Sequence, residues 1–249
     1  MSIIERLAAY DQSNCEEISK ATGLITKITR FTRFSTSDNT YTDAEKKVLV
    51  QSSLKLFQRL TSMDGEIGVT LRRTISNHPF LLRNLSEILG DITSCHELRK
   101  LAAEVLRNLV VDDNTRQKLG RVQRIITRLM QAFLTPDLSS STDGDRLLSK
   151  VAGQALAMLA MGNADHCKAM LRETGYSFIA KLAEMIIRFD SHRCVAASLL
   201  RSMCMHARQE LKEAGLVAAT FHLADGAGKD TLCRGSRTRD LHWPYFTYI

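Results

Sequence analysis

A five-residue phrase occurs three times in this chain and restricts its fold more than any other feature. Lys20-Ala21-Thr22-Gly23-Leu24 returns as Arg172-Glu173-Thr174-Gly175-Tyr176 and again as Lys212-Glu213-Ala214-Gly215-Leu216. Each copy follows a polar helical stretch and precedes an apolar one, so the repeated unit reads helix, Gly, helix. A single unit of this kind cannot bury its apolar face alone. Stacking of successive units gives a helical solenoid, an architecture that ordinarily binds other macromolecules.

The three glycines stand 152 and 40 residues apart. Two degenerate junctions fill the long gap. One lies at His78-Pro79, before the apolar pattern Phe80, Leu81, Leu82, Leu85, Ile88 and Leu89. The other lies at Gly120-Arg121, before Val122, Ile125, Ile126, Leu129, Met130 and Phe133. The steps are then about 55, 43, 54 and 40 residues. The two long steps each hold one Ser/Thr/Asp-rich insertion, at 32–43 and 135–146, with the composition of surface loops. Removing about 12 residues from each leaves about 43 and 42, inside the window of helical armadillo and HEAT units.

Composition agrees with helix throughout. Only three prolines interrupt 249 residues, and 44% apolar residues suffice for a continuous core. The six cysteines form no dense framework, so they read as reduced thiols of a cytoplasmic or nuclear protein. Glu5 and Arg6 break the apolar start that a secretory signal needs, and no apolar run approaches the roughly 20 residues of a membrane span. Helix starts are expected at Thr42, Ser94, Asn14 and Asn114, each with Glu or Gln three residues on to complete a capping box.

The segment Ala102-Ala103-Glu104-Val105-Leu106-Arg107-Asn108-Leu109-Val110 resembles the third helix of an armadillo repeat, whose family pattern runs Ala-Leu-Trp-Ala-Leu-Ser-Asn-Ile-Ala. Ser53 to Leu60, Ala152 to Leu159 and Ala196 to Met203 are equivalent blocks. The resemblance implies an all-α, right-handed armadillo superhelix over residues 1–224, of about four to five repeats with incomplete ends. A non-repeat tail over 225–249 follows it. It also implies that the Trp and Asn places of each third helix line a concave groove. At the Trp places this chain has Lys55, Glu104, Gln154 and Ser198; at the Asn places it has Arg59, Asn108, Met158 and Ser202. Only Asn108 keeps the family residue, so the aromatic walls and most of the amide ladder that clamp a basic nuclear-localisation peptide are missing. Lys55 and Arg59 repel such a ligand, and the expected partner is a folded or acidic protein. Lys55, Arg59, Glu104, Asn108, Met158 and Ser202 are therefore the candidate groove contacts.

A second candidate is electrostatic. Between Arg99 and Arg128 stand eight basic residues against three acidic ones, and Arg121, Arg124 and Arg128 recur at the spacing of one helical face. This basic 99–128 region leaves open an alternative function in nucleic-acid or anionic-lipid binding, although stacking aromatics are missing. A further alternative is a truncated fragment of a longer armadillo protein, because the helical pattern stops after Leu223.

Enzymatic chemistry is not expected. His96-Glu97 opens like a zinc-protease motif, but Lys100 occupies the place of the second histidine. Cys194 and Cys204, flanked by His192 and His206, are about 15 Å apart along one helix, too far for one zinc ion. Gly226 to Thr231 lacks the glycine spacing of a phosphate-binding loop. Neither a metal nor a cofactor is expected. The methionines, Met161, Met203 and Met205 among them, read as core filling, with Met158 the exception. The run Ser139 to Thr142 reads as a solvated loop.

Overall fold

The computed structural model describes residues 2–21, 23–33, 42–78, 80–92, 95–134, 143–174 and 177–213, and these are built of α-helices without a strand. Helix α1 (Ser2–Tyr10) is followed by four successive triples. They are α2 (Gln12–Lys20), α3 (Leu24–Phe31) and α4 (Asp43–Thr61); α5 (Gly65–Ser76), α6 (Leu81–Gly90) and α7 (His96–Leu109); α8 (Asp113–Gly120), α9 (Gln123–Phe133) and α10 (Asp143–Ala160); and α11 (Ala164–Thr174), α12 (Ser177–Arg188) and α13 (Asp190–His206). A short α14 (Arg208–Glu213) comes last.

Three helices per unit create three parallel rows. The third helices stack in order, α1 on α4, α4 on α7, α7 on α10 and α10 on α13, and each second helix packs on the third helix of its own unit. Burial follows that arrangement. Phe57 of α4, Phe133 of α9 and Phe178 of α12 are fully enclosed, and small residues such as Ala102, Ala103, Ala152 and Ala155 let the third helices approach closely. Neighbouring units are also tied by polar bonds. Asn84 on α6 donates to the Thr29 carbonyl at 3.3 Å and to Thr32 Oγ1 at 2.9 Å, joining the second row. In the first row Arg73 pairs with Asp112 at 3.5 Å, Asn163 donates to Gln117 at 3.0 Å, and Lys168 pairs with Glu210 at 3.1 Å.

The caps differ in part from expectation. Thr42 forms a complete capping box: its hydroxyl accepts from the Glu45 amide at 3.3 Å, and Glu45 accepts from the Thr42 amide at 2.8 Å. The Thr42 amide and hydroxyl, both donating to Glu45 Oε2 at 2.8 Å, hold the Glu45 carboxyl below its ordinary range. Asn14 and Asn114, by contrast, lie inside α2 and α8. Asp11 and Asp112 are the caps there, accepting from the Ser13 amide at 3.4 Å and the Thr115 amide at 3.0 Å. Asn163 does the same for His166 at 3.0 Å, and Asp64 occupies the corresponding cap of α5. An Asp or Asn thus precedes the first helix of all four triples, and at Asp11, Asp112 and Asn163 the short side-chain acceptor satisfies an amide that the sharp corner leaves unpaired.

Of the glycine phrases, Gly23 is described: it has φ +73° and caps α3. A left-handed residue reverses the chain between first and second helices, and an L side chain is disfavoured there. Gly175, Gly215, Pro79, Ser94, most of both insertions, the Ser139 to Thr142 run and the tail with its Gly226 to Thr231 segment lie outside the described residues.

Candidate functional site

The third helices place one register-matched face of α4, α7, α10 and α13 side by side. Positions four residues apart on a helix share a face, so each family groove place has its neighbours one turn before and one turn after. The structure brings all six groove candidates to this row, with different environments. Lys55 is half-buried and makes no hydrogen bond or ion pair among the described residues. Arg59 is exposed, and its Nε donates to the Ala8 carbonyl at 3.2 Å, tying α4 to α1. Met158 is half-buried against the core, and Ser202 is half-buried, its carbonyl accepting from the Cys167 thiol at 3.7 Å.

Asn108, the family residue that survives, faces inward. It is 6% exposed, and its amide donates to the Gln58 carbonyl at 3.2 Å and to Thr61 Oγ1 at 3.3 Å. Its Oδ1 accepts from Arg107 at 3.3 Å, and Arg107 donates in turn to Gln154 Oε1 at 3.2 Å. A polar chain therefore runs from α4 through α7 to α10 along the floor of the face. The residues standing where the family clamps a peptide here bond the repeats to each other, which removes Asn108 from direct ligand contact.

Outside that chain, the face presents cations. Lys100 and Lys150 sit four residues before Glu104 and Gln154, and Arg201 sits three after Ser198. Lys150 and Arg201 are exposed and, like Lys55, make no hydrogen bond or ion pair among the described residues. Exposed Val48 and Leu147 occupy matching positions at one end of the face, and Val111 and Met205 occupy matching positions at the other. Met205 is 59% exposed, whereas core filling was expected for it. It lies in the last turn of α13. Lys100, Lys150 and Arg201 were legible as register partners of the groove places, one turn away, but the family pattern marks only the Trp and Asn places.

Glu104 stands near the middle of this face. It is half-buried, and burial raises its carboxyl above the usual range against the opposing pull of Lys100 and Arg107. Glu104 makes no hydrogen bond or ion pair among the described residues.

The basic 99–128 region does not form one surface. Arg99 is half-buried with Nε on the Leu89 carbonyl at 3.2 Å, Lys100 pairs with Glu97 at 3.5 Å, Arg116 pairs with Asp113, and Lys118 bonds Asn77. These groups belong to α7 and α8, in different rows. Arg121 is the C-terminal cap of α8, while Arg124 and Arg128 belong to α9, so the predicted single stripe is broken by a helix junction. Arg128 lies against Gly90 and bonds Gln131 at 2.8 Å. Arg124 and Arg128 line a shallow cleft of about 200 Å³ together with Glu87 and Asp91, which offset their charge.

The chemistry-like motifs separate in the same way. His96 pairs with Asp145 at 2.7 Å, and Glu97 with Lys100. On α13, Cys194 is exposed, whereas Cys204 and His192 are buried. Cys167 is buried, which pushes its thiol up to about 12 and removes it as a nucleophile at neutral pH.

This is the architecture of an armadillo-type repeat solenoid. A designed armadillo repeat protein in complex with the peptide (KR)4 superposes with a TM-score of 0.65 over 92% of this chain and 90% of its own, at 14% identity. Two engineered proteins superpose with TM-scores of 0.67 and 0.64 at 18% identity, covering 94% and 92% of this chain and 49% and 85% of theirs. No protein-family model matches the chain, and no curated protein does. At these identities the likeness establishes the fold. No described helix is long and apolar enough to cross a membrane.

Proposed function

We propose that this chain is a non-catalytic protein-interaction scaffold whose third-helix face receives an acidic partner segment. The supporting observation is the set of uncommitted cations Lys55, Lys150 and Arg201, which stand at a groove place of α4, one turn before the groove place of α10 and one turn after that of α13, with Lys100 and Arg107 between them. An ordered row of ammonium and guanidinium groups that the fold itself does not use is suited to carboxylates spaced along an extended chain. Val48, Leu147, Val111 and Met205 flank the row and offer apolar contacts to the same segment. In this reading the solenoid extends over 1–224. Binding of nucleic acid or anionic lipid by the 99–128 region has less support, because its cations are dispersed over three rows and largely paired.

The test is charge reversal. Fluorescence anisotropy with a labelled octaglutamate peptide should show the Lys55→Glu, Lys150→Glu double variant binding at least about tenfold more weakly at low salt than the unmodified protein. Stability should stay within about 1 kcal/mol, since neither side chain is bonded within the fold. The pair Arg121→Glu, Arg124→Glu should leave peptide binding unchanged. Loss of binding in that second pair, with binding retained in the first, would move the site to the basic region.

A further inference from the structure

Resting on the reading above, we infer that Glu104 sets the selectivity of this face: it receives the ammonium or guanidinium of a single Lys or Arg set within an otherwise acidic partner segment. Three observations converge on it. The carboxylate stands at a groove place on α7, between the Lys55 place on α4 and the Gln154 place on α10. It is half-buried yet has no hydrogen-bonding or ion-pairing partner among the described residues. The two cations that flank it one turn away are engaged elsewhere, Lys100 with Glu97 at 3.5 Å and Arg107 with Gln154 at 3.2 Å and Asn108 at 3.3 Å.

A half-buried carboxylate without a donor is unfavourable to the fold, because it has given up water and gained no bond in return. The fold does not use it, and its oxygens are left to accept from outside. An all-acidic segment crossing the face must set a carboxylate against Glu104, and like charges at contact oppose binding. A cation at that one position instead gains a charge-assisted hydrogen bond while its acidic neighbours reach Lys55 on one side and Lys150 or Arg201 on the other. The face therefore reads a sign pattern, acid, base, acid, rather than net charge. Rejection of the wrong pattern comes from the unpaired carboxylate of Glu104, whereas Glu97, two turns before it on the same helix, is paired with Lys100.

The test uses the full chain and Glu104→Gln, with labelled octaglutamate and a series of octaglutamates in which one glutamate at a time is replaced by lysine. The unmodified protein should prefer a centrally substituted peptide over octaglutamate by about tenfold. Glu104→Gln should bind octaglutamate more tightly than the unmodified protein does and lose the preference. If octaglutamate and the substituted peptides bind the unmodified protein equally, or if Glu104→Gln keeps the preference, the inference is overturned while the scaffold reading stands. If neither protein binds any of these peptides, the acidic-partner reading fails and takes the inference with it.

A second readout needs no ligand. A carboxyl whose folded pKa is raised contributes stability that is complete below the ordinary carboxyl range and is lost as pH rises through the raised value. Glu104→Gln should therefore raise the thermal midpoint at neutral pH, and the gain should vanish in acid. A variant less stable than the unmodified protein at neutral pH would show that Glu104 supports the fold, and would overturn the assignment.

Discussion

Replacing Gly120 by alanine destabilises the solenoid by about 2 kcal/mol, although the same exchange inside a helix ordinarily gains about 1 kcal/mol. A Cβ at Gly120 would stand 1.9 Å from Nε2 of His166, so the imidazole has to leave its seat. That ring cannot retreat freely. It is 3% exposed, and its Nδ1 is bonded at 2.8 Å to the carbonyl of Leu159. The contact links the end of α8 to α11 across a repeat boundary, with the end of α10 behind it, so losing it loosens the third triple from the fourth. Urea melts of a double-mutant cycle decide the matter. Gly120→Ala should lower the midpoint in the unmodified background. In a His166→Ala background it should be neutral or stabilising, because the obstructing ring is gone. A stabilising Gly120→Ala in the unmodified protein would mean that His166 has another seat, and the contact would not be the reason for glycine.

The helix rows and the third-helix face were readable from the residues, since both depend on local periodicity. Ser53 to Leu60, Ala102 to Val110, Ala152 to Leu159 and Ala196 to Met203 all lie within or at the end of stacked third helices. The direction of individual polar groups was not readable. Asn108 has the family's residue at the family's place, yet its amide is satisfied by Gln58 and Thr61 of the preceding repeat, an outcome set by how closely α4 and α7 stack. The arginine stripe failed for a different reason. Regular spacing was carried across Gly120-Arg121, where α8 ends and the chain turns before α9. Helical phase does not survive a junction. The recurring caps Asp11, Asp64, Asp112 and Asn163 were visible in the sequence, but a search for Glu or Gln three residues on selects a capping box and passes over a lone acceptor. The uncommitted state of Glu104 is a property of its surroundings, and only the placement of Lys100, Arg107 and Gln154 exposes it.

Arg72 gives the other large effect, through the corner between α4 and α5. The side chain is 6% exposed, and its Nη1 donates to the carbonyl of Thr61 at 3.2 Å and of Met63 at 2.7 Å. These carbonyls end α4 and form the turn into α5, where Asp64 makes no side-chain cap bond. One guanidinium thus holds the corner that side-chain caps secure at the other triples. The same corner carries the inter-repeat bond from Asn108 to Thr61 Oγ1, so its displacement reaches α7. Burial lowers the Arg72 pKa, opposed by the charges of Asp112 and Asp64. A buried cation of this kind has a desolvation cost, and an apolar replacement of similar volume is sometimes harmless. Three substitutions separate donor from filler. Arg72→Ala loses both the donor and the packing and should lower stability by about 3 kcal/mol. Arg72→Met keeps much of the volume but leaves two carbonyls without their donor, and should still lose about 1–2 kcal/mol. Arg73→Ala, next in sequence, removes only a half-exposed pair with Asp112 and should cost less than about 1 kcal/mol. If Arg72→Met melts together with Arg73→Ala, the bonds to Thr61 and Met63 contribute nothing net, and the corner is held by apolar packing alone.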